Sequence, residues 1–242
     1  MSLRLSTEKD QRNMEEQLER SKRRLHFCMA VMGGWFGAYA VLRFHHFASA
    51  ATVNFIEVFT SAVQGDRIKA LLRLGIVALY VFAIFLAACL TKLYKGDLRR
   101  WAILADGAAA CALTVLPDRL SELGVCICIF AMGFQWCVFA GKYGYPCSTI
   151  FSTNNLRQFV DAWVQTRLFH DTDHTTRMNL YGGTLLAFHT GVIAECALWA
   201  LGWGSRTILP ILLPAALALV WQQRDFQMRK RIEEAFEPHH TV

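Results

Sequence analysis

Charge is what this sequence has least of. Asp, Glu, Lys and Arg make up 18% of its 242 residues, against about a quarter in an ordinary soluble domain. None of the four occurs in Leu25–Leu42, Leu74–Thr91, Leu123–Gly141 or Thr207–Gln223, and two further runs, Trp101–Pro117 and Met178–Ser205, hold one acid each, Asp106 and Glu195. A spanning helix needs about 20 mostly apolar residues to cross about 30 Å of hydrocarbon. Six such segments fit the chain and leave little for a soluble domain, so an all-α polytopic membrane protein is expected. Also missing are a glycine-rich phosphate loop, a nucleophile elbow and a pair of catalytic carboxylates, so nothing argues for an enzyme. The eight cysteines show no disulfide spacing, and Cys126-x-Cys128 lacks the second pair that a zinc site needs. They read as small hydrophobes that pack between helices. Residues 1–24 are charged throughout, without the apolar core of a signal peptide.

What charge there is carries a pattern. The net charge is +6, which on its own would suit nucleic acid. With the N-terminus placed in the cytoplasm, however, nineteen of the 25 Lys and Arg residues fall on that side and five on the other, with Arg43 at the boundary. That bias is the positive-inside signature of a membrane protein with both termini in the cytoplasm, and it removes the case for a nucleic-acid partner. Residues 1–26 form a charged arm, either solvated or an amphipathic helix with Met14, Leu18 and Leu25 on one face. The basic cluster from Arg20 to Arg24 would hold that helix to an anionic leaflet. Residues 224–242 form a charged tail.

The chain also contains an internal repeat with an offset of about 100 residues. Met32-Gly33-Gly34-Trp35 in the first half matches Met132-Gly133-Phe134-Gln135 in the second. Each is followed by a Thr-x-Asn tripeptide, Thr52-Val53-Asn54 and Thr153-Asn154-Asn155, and then by a short amphipathic stretch, a charged loop and two hydrophobic helices. Residues 27–118 and 119–223 are therefore read as two three-helix repeats. Three spans is an odd number, so the second half enters the membrane from the opposite side, as in many secondary transporters. The stretches around Thr52 and Thr153 are too short to span and read as half-helices after helices 1 and 4, re-entrant or interfacial. Thr and Asn are good N-caps, and a half-helix start offers free amides to an anion or a polar solute. Ordinary polar caps on interfacial helices would give the same pattern.

Gly33-Gly34-x-x-Gly37-Ala38-Tyr39, the paired Thr-x-Asn segments and Ala131-Met132-Gly133-Phe134-Gln135 together resemble the YoaK-like family of bacterial membrane proteins. The resemblance runs from about Met29 to Val220. It implies six helices in the bacterial inner membrane and brings no settled activity. Where that family shows Thr-Gly-Asn, this chain has Val53 and Asn154 at the central position.

Ionisable groups at membrane depth are functional candidates by default. Glu57 and Arg157 occupy near-equivalent positions in the two halves and are expected either to pair across the repeat interface or to lie in water. Glu195 has the deepest position, as a proton site or in an internal pair. Asp106 is a second proton-coupling candidate, although its nearness to Arg99 and Arg100 reads more simply as an exposed helix end. Gln135, Trp35 and Trp136 would contact a solute or pack between helices. Gly33, Gly34, Gly37, Gly133, Gly182 and Gly183 would allow close helix approach. His170 and His174 would share a helix face at i, i+4 and are the one candidate metal site, with no third ligand in evidence; otherwise no cofactor is expected.

The leading expectation is a transporter or channel for a small polar or anionic solute. Its site between the repeats would be lined by Thr52, Asn54, Glu57, Gln135, Thr153, Asn154, Asn155 and Arg157. The alternatives are a non-transporting scaffold or sensor acting through its cytoplasmic arms, or a metal-binding protein or enzyme using the His170–His174 loop. The lipid bilayer is a partner in all three, and a second copy of the chain is a further candidate.

Overall fold

The computed structural model describes residues 2–47, 51–139 and 145–236, which form eight α-helices and three 3₁₀ segments with no strand among them. In chain order they are α1 (Ser2–Phe44), α2 (Ala51–Val63), α3 (Arg67–Leu93), α4 (Leu98–Val115), α5 (Ser121–Phe139), α6 (Thr153–Arg167), α7 (Thr175–Ala200) and α8 (Leu212–Phe236). Five segments are long and apolar enough to cross a membrane by length and composition: Lys9–Phe44, Arg67–Leu93, Asp118–Phe139, Thr172–Ala200 and Gly204–Ala235. The sixth expected span corresponds to α4, whose 18 residues include Arg99, Arg100 and Asp106 and which falls short of the other five in apolar character.

Local chemistry sets the helix ends. Asp66 caps α3 by accepting from the Lys69 amide, and Asp97 caps α4 by accepting from the Arg99 amide at 3.0 Å. Gly65, at a φ of +85°, makes the left-handed turn between α2 and α3 that an L side chain would strain. Gly202 and Gly204, both at positive φ, separate α7 from a 3₁₀ segment, Gly204–Ile211, that leads into α8. The charged arm expected over residues 1–26 is not a separate element. α1 is one continuous helix from Ser2, and its first turns extend beyond the apolar stretch that begins at Leu25.

α1 and α5 occupy the centre: 67% and 61% of their most apolar windows are buried, against 22–28% for α3, α7 and α8. α1 packs on α7 and α8, α5 packs on α3 and α4, and α1 touches α5. α2 lies along α3 as α6 lies along α7, and α4 meets α8 and the 3₁₀ segment before it. Exchanging α1 for α5, α2 for α6, α3 for α7 and α4 for α8 therefore maps the packed pairs of α-helices onto themselves, the 3₁₀ segment standing outside the exchange. Phe44, at the end of α1, lies against Gly124 at the start of α5, and α2 is at that end of the bundle. α6 is at the opposite end, where Phe27 of α1 meets Gly183 and Phe159 meets Gly182 near the start of α7. Both chain-terminal helices also end there, with Ser21 bonded to the Trp221 carbonyl.

Glycine lets the central helices approach. A Cβ on Gly34 would lie 1.9 Å from the Phe188 carbonyl oxygen, and one on Gly191 would lie 2.0 Å from that of Val31. Gly33, Gly133, Gly182 and Gly183 are crowded as expected, whereas Gly37 has open space around it.

Candidate functional site

Three polar centres lie along the buried core. The first joins α1, α7 and the 3₁₀ segment. Glu195 is fully buried, and its Oε1 accepts a 2.5 Å bond from the Thr207 hydroxyl. The Trp35 indole donates to the Thr207 carbonyl at 2.9 Å. The other carboxylate oxygen, Oε2, has no hydrogen-bond partner among the described residues. The open turns of a 3₁₀ segment supply this carbonyl and hydroxyl at depth, where a regular helix would have used its own backbone groups.

The second centre is Asp106, halfway along α4. The buried face of α4 is Arg99, Ala102, Ile103, Asp106, Ala109, Ala110 and Leu113, a regular helical stripe. Asp106 sits in the middle of that stripe, fully buried, with neither carboxylate oxygen hydrogen-bonded among the described residues. The reading of Asp106 as an exposed helix end is corrected: the neighbouring Arg99 points the same way, inward. A carboxylate buried without a hydrogen-bond partner is costly wherever it lies in a protein interior.

The third centre is built on the segment before α6. Gln135 of α5 donates to the Met29 carbonyl at 3.0 Å and to the Thr149 hydroxyl at 2.9 Å. The Thr149 carbonyl presses on Gly33, so non-helical backbone enters the helix packing there. Asn155 organises this segment: its Oδ1 accepts from the Ser148 amide at 3.1 Å, and its Nδ2 donates to the Ser148 and Phe151 carbonyls. Asn155 was expected as an N-cap. It instead satisfies the backbone of the buried loop, and Ser152 holds the cap position of α6. A cavity of about 320 Å³ lies beside this loop, between α1, α7 and the start of α6. Gly37, Phe47, Ile150, Ser152, Thr153 and Phe188 are among its walls, which are largely apolar.

The expected solute residues do not converge on one chamber. Asn54 and Asn155 are both buried, but on short helices at opposite ends of the bundle. Thr52, Thr153, Asn154 and Arg157 are exposed. Glu57 does not pair with Arg157: it lies 2.7 Å from Arg73 and 3.5 Å from His46, and Arg73 reaches Glu122 at 3.9 Å. Burial, with the Arg73 cation beside it, lowers the His46 pKa below its ordinary 6.5 against the pull of Glu57. His170 and His174 share no helix. His170 has a left-handed backbone at φ +58°, and His174 ends a 3₁₀ turn facing Asp171. Among the described residues there is no group of three or more side chains able to hold a metal ion.

One polar cluster was not anticipated. Arg99, 3% exposed, forms ion pairs with Asp97 and with the fully buried Asp225 of α8, and Gln222 donates to Asp97 at 3.1 Å. Burial opposes the charge on Asp97, but the Arg99 hydrogen bonds and charge, with Gln222, outweigh it and hold the Asp97 carboxyl down at about 2.

The family described as Protein of unknown function (DUF1275) matches residues 25–221, nearly the whole of this helical bundle. The chain belongs to that family. The resemblance to YoaK-like proteins read from the glycine and Thr-x-Asn motifs is in keeping with DUF1275 membership. No curated protein and no solved structure matches the chain. Within the DUF1275 match lie Asp106, Glu195, Gln135 and Asn155, whereas Asp225 lies beyond it.

Proposed function

We propose that this protein is a secondary transporter of a small solute. Its six spans, α1, α3, α4, α5, α7 and α8, would form two inverted repeats that rock about the α1–α5 contact. The observation that carries this reading is the presence of two carboxylic acids, Asp106 and Glu195, fully buried on separate helices, each with at least one oxygen that has no hydrogen-bond partner among the described residues. Acids so placed are costly and suit proton uptake and release as a site opens to one side and then the other. The self-mapping set of packed pairs and the placement of α2 and α6 at opposite ends support the repeat arrangement. α4, at 18 residues, is about 27 Å long, enough to serve as the sixth span when its polar face is covered. The distribution of basic residues supports both termini in the cytoplasm, and the YoaK-like resemblance supports a bacterial inner membrane location. Asp106 and Glu195 would be the proton-coupling residues, with Gln135 and Asn155 shaping the half-helix entrance beside the Thr153 cavity.

Proteoliposomes on a solid support, exposed to jumps of organic anions, amino acids, sugars and inorganic ions, test this directly. At least one solute is expected to evoke a transient current that depends on pH. Asp106→Asn and Glu195→Gln should each reduce it by about tenfold or more while the protein keeps its melting temperature. Silence from the wild type across all four classes, or currents indifferent to both substitutions, would sink the proton-coupled reading. The α1 and α8 extensions, packed side by side beyond the apolar core, favour a second reading, a sensor or scaffold working through them.

A further inference from the structure

The extensions of α1 and α8 line a pocket of about 440 Å³ at the end of the bundle where α1 begins and α8 ends. Four arginines line it, Arg20 and Arg24 from α1 and Arg224 and Arg231 from α8, around Trp221 and the buried Ser21. No acidic residue is in its wall. The acids nearest in sequence are engaged elsewhere: Glu19 pairs with Lys22, and Asp225 pairs with Arg99 and Arg229. Arg20 has a 3.5 Å contact with Glu16, both exposed, while Arg24, Arg224 and Arg231 have no ion pair among the described residues. Two of the four are held in place by the indole, with the Arg24 guanidinium 4.7 Å and that of Arg224 4.9 Å from the Trp221 ring centroid. Cation–π contact of this kind fixes a guanidinium while leaving its N–H groups free.

A general excess of basic residues would satisfy the positive-inside rule with side chains spread around the helix ends. Here they converge on one concavity, two of them pre-ordered on an aromatic face, without an internal counter-ion. Planar guanidiniums so arranged match the oxygens of a phosphate group, which they bind in bidentate fashion. We infer that this pocket is a binding site for a phosphate-bearing anion, either an anionic lipid headgroup or a soluble phosphate compound. The site is independent of the transport reading. It ties α1 to α8, so its occupancy bears on how firmly the first and last spans are held together.

The test uses the full-length protein in an uncharged detergent, titrated separately with pyrophosphate and with short-chain phosphatidylglycerol, with phosphatidylcholine as the neutral comparison. Binding is read by native mass spectrometry and by the shift in melting temperature. Saturable binding of one charged probe is expected. It should weaken about tenfold or more in Arg24→Glu/Arg224→Glu, less in Arg24→Lys/Arg224→Lys, and little in Arg12→Glu/Arg23→Glu, which changes charge equally outside the pocket. Binding by phosphatidylglycerol alone assigns a lipid headgroup, and binding by pyrophosphate assigns a soluble phosphate ligand. No saturable binding, or the same loss in the Arg12/Arg23 variant, overturns the site. The lysine variant keeps the charge and guards against a folding defect being mistaken for loss of the ligand.

Discussion

Arg99 shows how much rests on single residues here. It lies between Asp97 and Asp225 with its side chain 4% exposed, so removing it takes the cation from Asp97 and leaves the fully buried Asp225 with Arg229 alone. Arg99→Ala should destabilise the protein by about 3 kcal/mol, read as a large fall in melting temperature; a fall of only a degree or two would mean that water reaches the cluster. The cluster should also resist acid. A carboxyl held at about 2 in the fold and near its ordinary value of 3.8 when unfolded contributes fully above about pH 4, and that contribution is lost only as pH falls from there towards 2. Part of this scale was legible in the sequence. Glu195 stood out because apolar residues flank it on both sides. Asp106 was misread from its neighbours in sequence, although Ala102, Ile103, Ala109, Ala110 and Leu113 already place it on a continuous apolar face. The Glu195–Thr207 and Arg99–Asp225 contacts were not legible, because each joins side chains of different helical elements, a relation that no periodicity reports.

At the scale of elements, the closest contact is the crossing of α1 and α7. Gly34→Ala and Gly191→Ala each place a methyl group inside a backbone carbonyl and should cost about 2 kcal/mol by forcing the helices apart. Gly37→Ala, with open space around it, should be neutral or slightly stabilising through helix propensity. Melting temperatures of the three variants decide it; equal effects would show that the crossing yields easily. The short helices were legible in the sequence as amphipathic stretches after the repeated Met-Gly motifs, and they appear as α2 and α6. The role of Asn155 was not, because an Asn before a helix looks the same whether it caps that helix or holds the loop ahead of it. The continuity of α1 through Arg20–Arg24 was also missed, since a charged segment reads as an arm until a partner such as Trp221 is known to cover it.

At the scale of the whole molecule, α2 and α6 at opposite ends predict opposite sidedness. In a cysteine-free background, Val63→Cys and Phe169→Cys, at positions 90% and 70% exposed, should be labelled by an impermeant maleimide from opposite faces of the membrane. Labelling of both from the same face would contradict the inverted arrangement. Sequence patterning leads to the expectation of inverted halves, because three spans is an odd number, and the labelling experiment tests it. Patterning could not foresee which helices form the centre, since the most apolar span, α3, lies at the periphery and the central α1 is no more apolar than α8. The polar character of α4 also bears on how the protein is made. With Arg99, Arg100 and Asp106 in 18 residues, α4 partitions poorly by itself, whereas α3 just before it is strongly apolar. The turn between them is four residues long, Tyr94–Asp97, and the Trp101 indole donates to the Tyr94 hydroxyl across it. During synthesis α4 would therefore depend on α5 and α8, the helices it packs on, to cover its polar face, and its Arg99 is closed over only once α8 brings Asp225 to it.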